Sequence, residues 1–156
     1  MKRSPEIARS PEAERRAMMA VLARAPAADL KRLWDEAGIA AKAETLRGPE
    51  TGLVTVRGRI GGGGSPFNVG EATVTRATVR LSSGEVGHAY ALGRDREKAR
   101  LSATIDALWQ RTDMRAAVEA AIVAPLAAEI EAADARRKAE TAATKVDFFT
   151  MVRGED

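Results

Sequence analysis

Phe67-Asn68-Val69-Gly70-Glu71-Ala72-Thr73-Val74-Thr75-Arg76-Ala77-Thr78-Val79-Arg80-Leu81 alternates side chains with a period of two and is rich in Val and Thr. That is the pattern of a β-strand with two unlike faces, and its length asks for neighbours on either side. Gly70 marks a break or bulge within it. Working outward, residues 53–60 and 85–92 repeat the alternation, and Ala43 to Arg47 begins it. The short links at 48–52 and 82–84 suit antiparallel hairpins, so an antiparallel sheet of four or five strands is expected.

On either side of the sheet the period changes to that of helices. Ser10 before Pro11 reads as a helix N-cap followed by proline in the first turn. Met18, Val21, Leu22 and Ala25 form one apolar stripe that Pro26 ends, and Leu30, Leu33, Trp34 and Ala37 form a second that Gly38 closes, which gives an N-terminal helical hairpin. Asp95 caps a third helix whose stripe, Leu101, Ile105, Leu108 and Trp109, should lie across one sheet face. Residues 117–123 look helical ahead of Pro125, and 126–145 form a polar, alanine-rich helix. The expected class is therefore α+β, one domain over residues 1–156, with a charged leader at 1–9 and an apolar tail at 146–156.

Composition excludes several chemistries. The 156 residues contain no cysteine, so disulfides, thiolate metal sites, iron–sulfur ligation and thiol nucleophiles are ruled out for this chain. No apolar run approaches the ~20 residues that cross a bilayer. The short apolar run 17–23 follows Glu6, Glu12 and Glu14, which argues against a secretion signal and for a cytoplasmic protein. Net charge is +3, small for a duplex binder, and aromatics are 4% of residues, so nucleic acid is not indicated.

Candidate sites are correspondingly few. Gly61 to Gly64 is followed by Ser65-Pro66-Phe67 rather than by Lys-Ser or a helix, so it reads as a strand-connecting loop and not as a phosphate cradle. His88 shares its parity with Val86, Tyr90 and Leu92, which favours a half-buried packing role over a catalytic base. No carboxylates are spaced to join it as metal ligands, so no metal and no catalytic residue is assigned. Within residues 57–100 bases outnumber acids by eight to four. Arg57, Arg59, Arg76 and Arg80 lie on strands and are candidates to meet a substrate anion or an acidic partner, the alternative being an ordinary solvated face. The tail Val146-Asp147-Phe148-Phe149-Thr150-Met151-Val152 holds two of the three phenylalanines. Phe148, Phe149, Met151 and Val152 are candidate docking residues for another subunit, or a last strand of the sheet.

Glu50-Thr51-Gly52-Leu53-Val54, the run Gly70 to Leu81, Gly93-Arg94-Asp95, Ile105-Asp106-Ala107-Leu108, Ala124-Pro125-Leu126 and above all Val146 to Gly154 resemble, in order, the PhnG subunit family of the bacterial carbon–phosphorus lyase system. The likeness covers residues 13–154, and it departs in the longer leader and the all-glycine loop. The resemblance implies an accessory subunit of a cytoplasmic complex with PhnH, PhnI and PhnJ, linked functionally to PhnL. That complex forms α-D-ribose 1-methylphosphonate 5-triphosphate from ATP and methylphosphonate with release of adenine, in phosphonate catabolism. It implies MgATP as the nucleotide, nucleosidase chemistry on PhnI and an iron–sulfur cluster on PhnJ, with no cofactor and no catalytic residue on this chain. The residues themselves agree, since radical cleavage needs thiolates and adenine displacement needs a cleft of acids or histidines. The other reading the residues allow is a small stand-alone basic module that binds anions or RNA.

Overall fold

The computed structural model describes residues 10–145. Its elements, in order, are helices α1 (Pro11–Arg24) and α2 (Ala27–Ala37), strands β1 (Ala43–Gly58), β2 (Phe67–Leu81) and β3 (Val86–Leu92), and helix α3 (Arg96–Gln110). A last helical stretch runs Arg115–Val118, passes through a π-helical turn at Glu119–Val123 and continues as Ala124–Ala143; these are α4, the π turn and α5. The π turn sits where Pro125 has no N–H for the helix and its ring would crowd the carbonyl four residues back.

The helix ends form as their residues dictate. Ser10 Oγ accepts from Ala13 N at 3.3 Å, and Asp95 Oδ1 accepts from Lys98 N at 2.8 Å, so both expected N-caps hold. Gly38 ends α2 in the left-handed conformation at φ 60°, which costs a residue without Cβ nothing. α1 and α2 turn at Pro26; α1 packs on α3, β3 and α5 and touches the π turn, whereas α2 packs mainly on the π turn and on α3.

The sheet has three antiparallel strands in the order β1-β2-β3, not four or five. The difference lies at residues 48–52. Instead of a hairpin link, Gly48 and Pro49 are carried inside one sixteen-residue strand. Two register shifts, between Thr45 and Arg47 and between Arg47 and Glu50, each place an extra residue on β1. β1 is an edge strand, where a proline without an N–H forfeits no ladder bond and bulges absorb the surplus. A third shift, between Val56 and Arg57, leaves Val69 as the extra residue on β2, next to the expected break at Gly70.

Helix α3 lies across the face formed by Thr75, Ala77, Val79, Leu81, Gly87, Ala89 and Ala91, all buried. It comes closest at Gly87, where a Cβ would stand 1.9 Å from the carbonyl oxygen of Ala103 and 2.6 Å from Ala107 N. Every residue from Leu101 to Trp109 is buried, because the sheet, α1, α2 and α4 surround the helix. Within that stretch stands Asp106, fully buried. It accepts from Arg15 Nε at 2.8 Å, from Arg15 Nη2 at 2.7 Å and from the backbone N–H of His88 at 2.8 Å. The Asp106 carboxylate raises the Arg15 guanidinium above its usual pKa. One helical turn on, Gln110 Nε2 donates to the carbonyl of Val86 at 2.8 Å. Two polar side chains of α3 thus satisfy backbone groups on the outer edge of β3, which would otherwise be an open template.

Beyond α3, Trp109 Nε1 donates to Glu119 at 2.8 Å, and the Arg115 guanidinium stacks 3.8 Å above the same indole. These contacts fix the start of the last helical stretch against the core. Among the described residues no helix is long and apolar enough to cross a membrane.

Candidate functional site: the open sheet face and its projecting ribbon

β3 pairs only with Val74 to Arg80 of β2, whereas β1 pairs with β2 all the way to Phe67. Residues 53–58 and 67–73 therefore leave the three-stranded sheet as a two-stranded ribbon. A short 3₁₀ turn at Ile60–Gly62 and the glycines that follow close its end. Gly61 takes φ 63°, the conformation that the all-glycine sequence permits there. At Gly58 a Cβ would lie 2.7 Å from Cγ2 of the exposed Val69, so that side chain would have to turn to admit it.

The face opposite α3 is uncovered except at Val74, which is buried, and it divides in two. Its polar half carries Glu44, Arg47, Glu50, Arg76, Thr78, Arg80 and His88. Arg76 donates to Glu50 at 2.8 Å, Arg80 to Glu44 at 2.8 Å, and Arg47 also pairs with Glu50. Burial pushes the Glu50 carboxyl up, but the two arginines hold it below its ordinary value. The apolar half follows from the register Leu92↔Val74↔Gly52, Ala72↔Val54, Gly70↔Val56 and Phe67↔Gly58. Here small residues alternate with Leu92, Val54, Val56 and Phe67. Leu92 is 74% exposed and Ile60, beside the ribbon tip, 78%. Leu53, Val69 and Tyr90 are exposed as well. Isolated apolar residues on a surface are ordinary, but this run is contiguous along one ribbon and one sheet face, which marks an interaction surface.

The four sequence-selected arginines do not gather into one cationic patch. Arg76 and Arg80 are on the open face and neutralised. Strand alternation puts Arg57 and Arg59 on the parity of Thr51, Leu53 and Thr55, the opposite side of the ribbon. Arg59 Nη1 donates to the Gly64 carbonyl at 3.0 Å, and Arg57 has no ion pair among the described residues. His88 is exposed rather than half-buried, because no element covers its face; its Nδ1 lies 3.3 Å from Thr78 Oγ1. Phe148, Phe149, Met151 and Val152, like the leader 1–9, lie outside the described residues. Asp106 was weighed in the sequence only as a metal ligand and set aside; its buried pairing with Arg15 was missed, although an acid beside Ile105, Leu108 and Trp109 on the stripe of α3 was the available signal.

A groove of about 920 Å³ separates the end of β3 from α5 and the α1–α2 corner. Its charges are largely spoken for. Arg24 and Arg137 both reach Asp134, at 2.6 and 3.2 Å, and Arg32 reaches Glu129 at 2.7 Å. Lys98 donates to the Ala23 carbonyl at 2.8 Å, and burial pulls its ammonium below the usual lysine pKa. Among the described residues no three His, Asp or Glu side chains converge as a metal site.

Residues 13–154 match the model of the family described as phosphonate metabolism protein PhnG. Over 144 residues the chain is 58% identical to the α-D-ribose 1-methylphosphonate 5-triphosphate synthase subunit PhnG of Rhizobium meliloti strain 1021, covering 92% of each protein. The match runs across the helices, the sheet and the ribbon alike, leaving out only the first turn of α1 among the described elements, and the chain belongs to the PhnG family of phosphonate metabolism proteins.

Proposed function

We propose that this chain is an accessory subunit of the synthase named for its relative, and that it contributes surface rather than reacting groups. The observation that carries the reading is the apolar half of the open face with its projecting ribbon. A two-stranded ribbon is marginal in water without a body to pack on, and this one presents Leu53, Val56, Ile60, Phe67 and Val69 to solvent. Such a surface suits permanent burial against a larger subunit.

In this reading the complex is cytoplasmic and joins the chain with PhnI, PhnH and PhnJ. MgATP serves as the nucleotide, and the iron–sulfur cluster belongs to another subunit, since this chain has no thiolate to give one. Arg57 and Arg59 meet acidic partner groups, whereas Arg76 and Arg80 keep the open face in register through Glu50 and Glu44. The tail residues Phe148, Phe149, Met151 and Val152 add a second anchor, supported by their apolar character in a terminal segment.

Reconstitution tests this directly. The purified chain alone should release no adenine from ATP plus methylphosphonate. Subunits co-expressed without it should fail to assemble or turn over, and adding the full chain should restore both. Removal of residues 146–156 should prevent co-purification. Sustained turnover by the solitary chain, or a fully active complex lacking it, refutes the reading.

A further inference from the structure

The two margins of the sheet are treated differently by the sequence. The outer edge of β3 is sealed by Asp106 and Gln110, which take the His88 N–H and the Val86 carbonyl. The first part of β1 is broken by two bulges around Gly48-Pro49, which disrupt any straight pairing surface. From Thr51 to Val56 neither device is present. Thr51-Gly52-Leu53-Val54-Thr55-Val56 pairs with β2 residue for residue, contains no proline and carries no charge.

The direction of its backbone groups follows from the ladder. His88 N–H points out of the sheet toward Asp106, so His88 and Thr78 do not exchange bonds, and on β2 the odd residues face β3. The Thr73 carbonyl agrees, since it accepts from Gly93 N at 2.9 Å on that side. The even residues of β2 thus bond β1 through Gly52, Val54 and Val56. Thr51, Leu53 and Thr55 are left with their N–H and C=O groups directed outward.

We infer that this stretch of β1 is a strand-addition site, taking an extended segment from another subunit of the synthase, with acidic residues placed to meet Arg57 and Arg59. The inference rests on the accessory-subunit reading and names its contact. Backbone groups directed out along an unguarded edge call for a strand rather than a helix or a loop. Charge selects a foreign strand over a second copy. Residues 51–60 hold Arg57 and Arg59 and no acid, and a second copy paired antiparallel about Leu53 or Thr55 would set Arg57 against Pro49 or Leu53, whereas a foreign segment can bring a carboxylate directly opposite it. The exposed Leu53 and Val56 and the half-buried Val54 offer alternate side-chain contacts on the two faces of the added strand.

Amide hydrogen exchange on the wild-type chain, free and within the co-expressed complex, tests this without altering the fold. The amides of Thr51, Leu53 and Thr55 should exchange about tenfold or more slowly in the complex than in the free chain, while those of Gly52, Val54 and Val56 are protected in both. As a second arm, Thr55→Pro removes an outward N–H and leaves the β2 ladder whole; it should cut recovery of the complex about tenfold, whereas Thr55→Ala assembles normally. Outward amides that exchange equally fast in both states overturn the inference while leaving the accessory role standing. Protection that arises in the concentrated chain alone would show a second copy as the strand donor and overturn the foreign-strand assignment. Failure of the wild-type chain to enter any complex overturns both.

Discussion

Replacing Gly87 by alanine should be among the most damaging single-methyl changes in this protein. The new Cβ would lie 1.9 Å from the Ala103 carbonyl oxygen, 2.6 Å from Ala107 N and 2.8 Å from Ala107 Cβ. All three belong to the backbone or first carbon of α3, so no side chain can swing aside. Restoring ordinary contact means lifting the helix by roughly 1.5 Å, and overpacking of that kind costs about 1–3 kcal/mol. The same lift stretches the 2.8 Å bonds from His88 N–H to Asp106 and from Gln110 to the Val86 carbonyl. Loss of a charge-assisted bond to a buried carboxylate adds about 1.5–3 kcal/mol. The sum, about 2.5–6 kcal/mol, corresponds to a fall in Tm of roughly 5–24 °C for a chain of this size. Gly52→Ala is the matched control, because nothing stands within 4 Å of its would-be Cβ. Circular dichroism melts of the two variants beside the parent decide the matter. A Gly87→Ala protein melting within about 2 °C of the parent would refute the claim that α3 is seated backbone to backbone on β3.

Arg15→Met should destabilise by about 2–3 kcal/mol, the exposed part of the guanidinium moderating the cost of leaving Asp106 buried and uncompensated; urea titration should show the double variant Arg15→Met with Asp106→Leu losing less than the two single losses combined. Phe67→Asp and Ile60→Asp should leave the melting of the free chain nearly unchanged but abolish co-purification with the other subunits, read by stoichiometry on size exclusion. Hydrogen bonding from Arg24 holds the Asp134 carboxyl below its ordinary 3.8. The unfolded chain therefore takes up that proton first, so the contribution is present above 3.8 and lost as pH falls through the lower folded value. Melts from pH 6 to pH 3 should show a shallower acid limb for Asp134→Asn than for the parent, and coincident limbs would remove the assignment.

Local signals on the page were read correctly where they act locally. Ser10, Asp95 and Gly38 terminate helices by chemistry that each carries within one turn, and the stripe Leu101, Ile105, Leu108 and Trp109 faces the sheet as its spacing requires. What failed depended on context. Gly48-Pro49 means a turn in isolation, yet on an edge strand the missing N–H is harmless and the pair becomes a bulge. Parity along one strand showed that Arg57 and Arg59 travel together, but whether they join Arg76 and Arg80 depends on pairing across strands. Asp106 was set aside as a metal ligand, but its structural role was missed because a lone acid on a helix has no meaning until its long-range partners, Arg15 and the His88 N–H, are in view. The candidate surface was hidden for a related reason. Among the described residues α3 is the helix that covers a sheet face, and the sequence does not announce which face it leaves bare.

The sealing of one sheet margin by Asp106 and Gln110 also bears on how the protein grows into larger things. A sheet open at both borders can join copy to copy without end, whereas one closed on a single flank has only one border through which another copy can join. That asymmetry makes association self-limiting, so the chain can be completed by a neighbour without becoming the seed of a fibre.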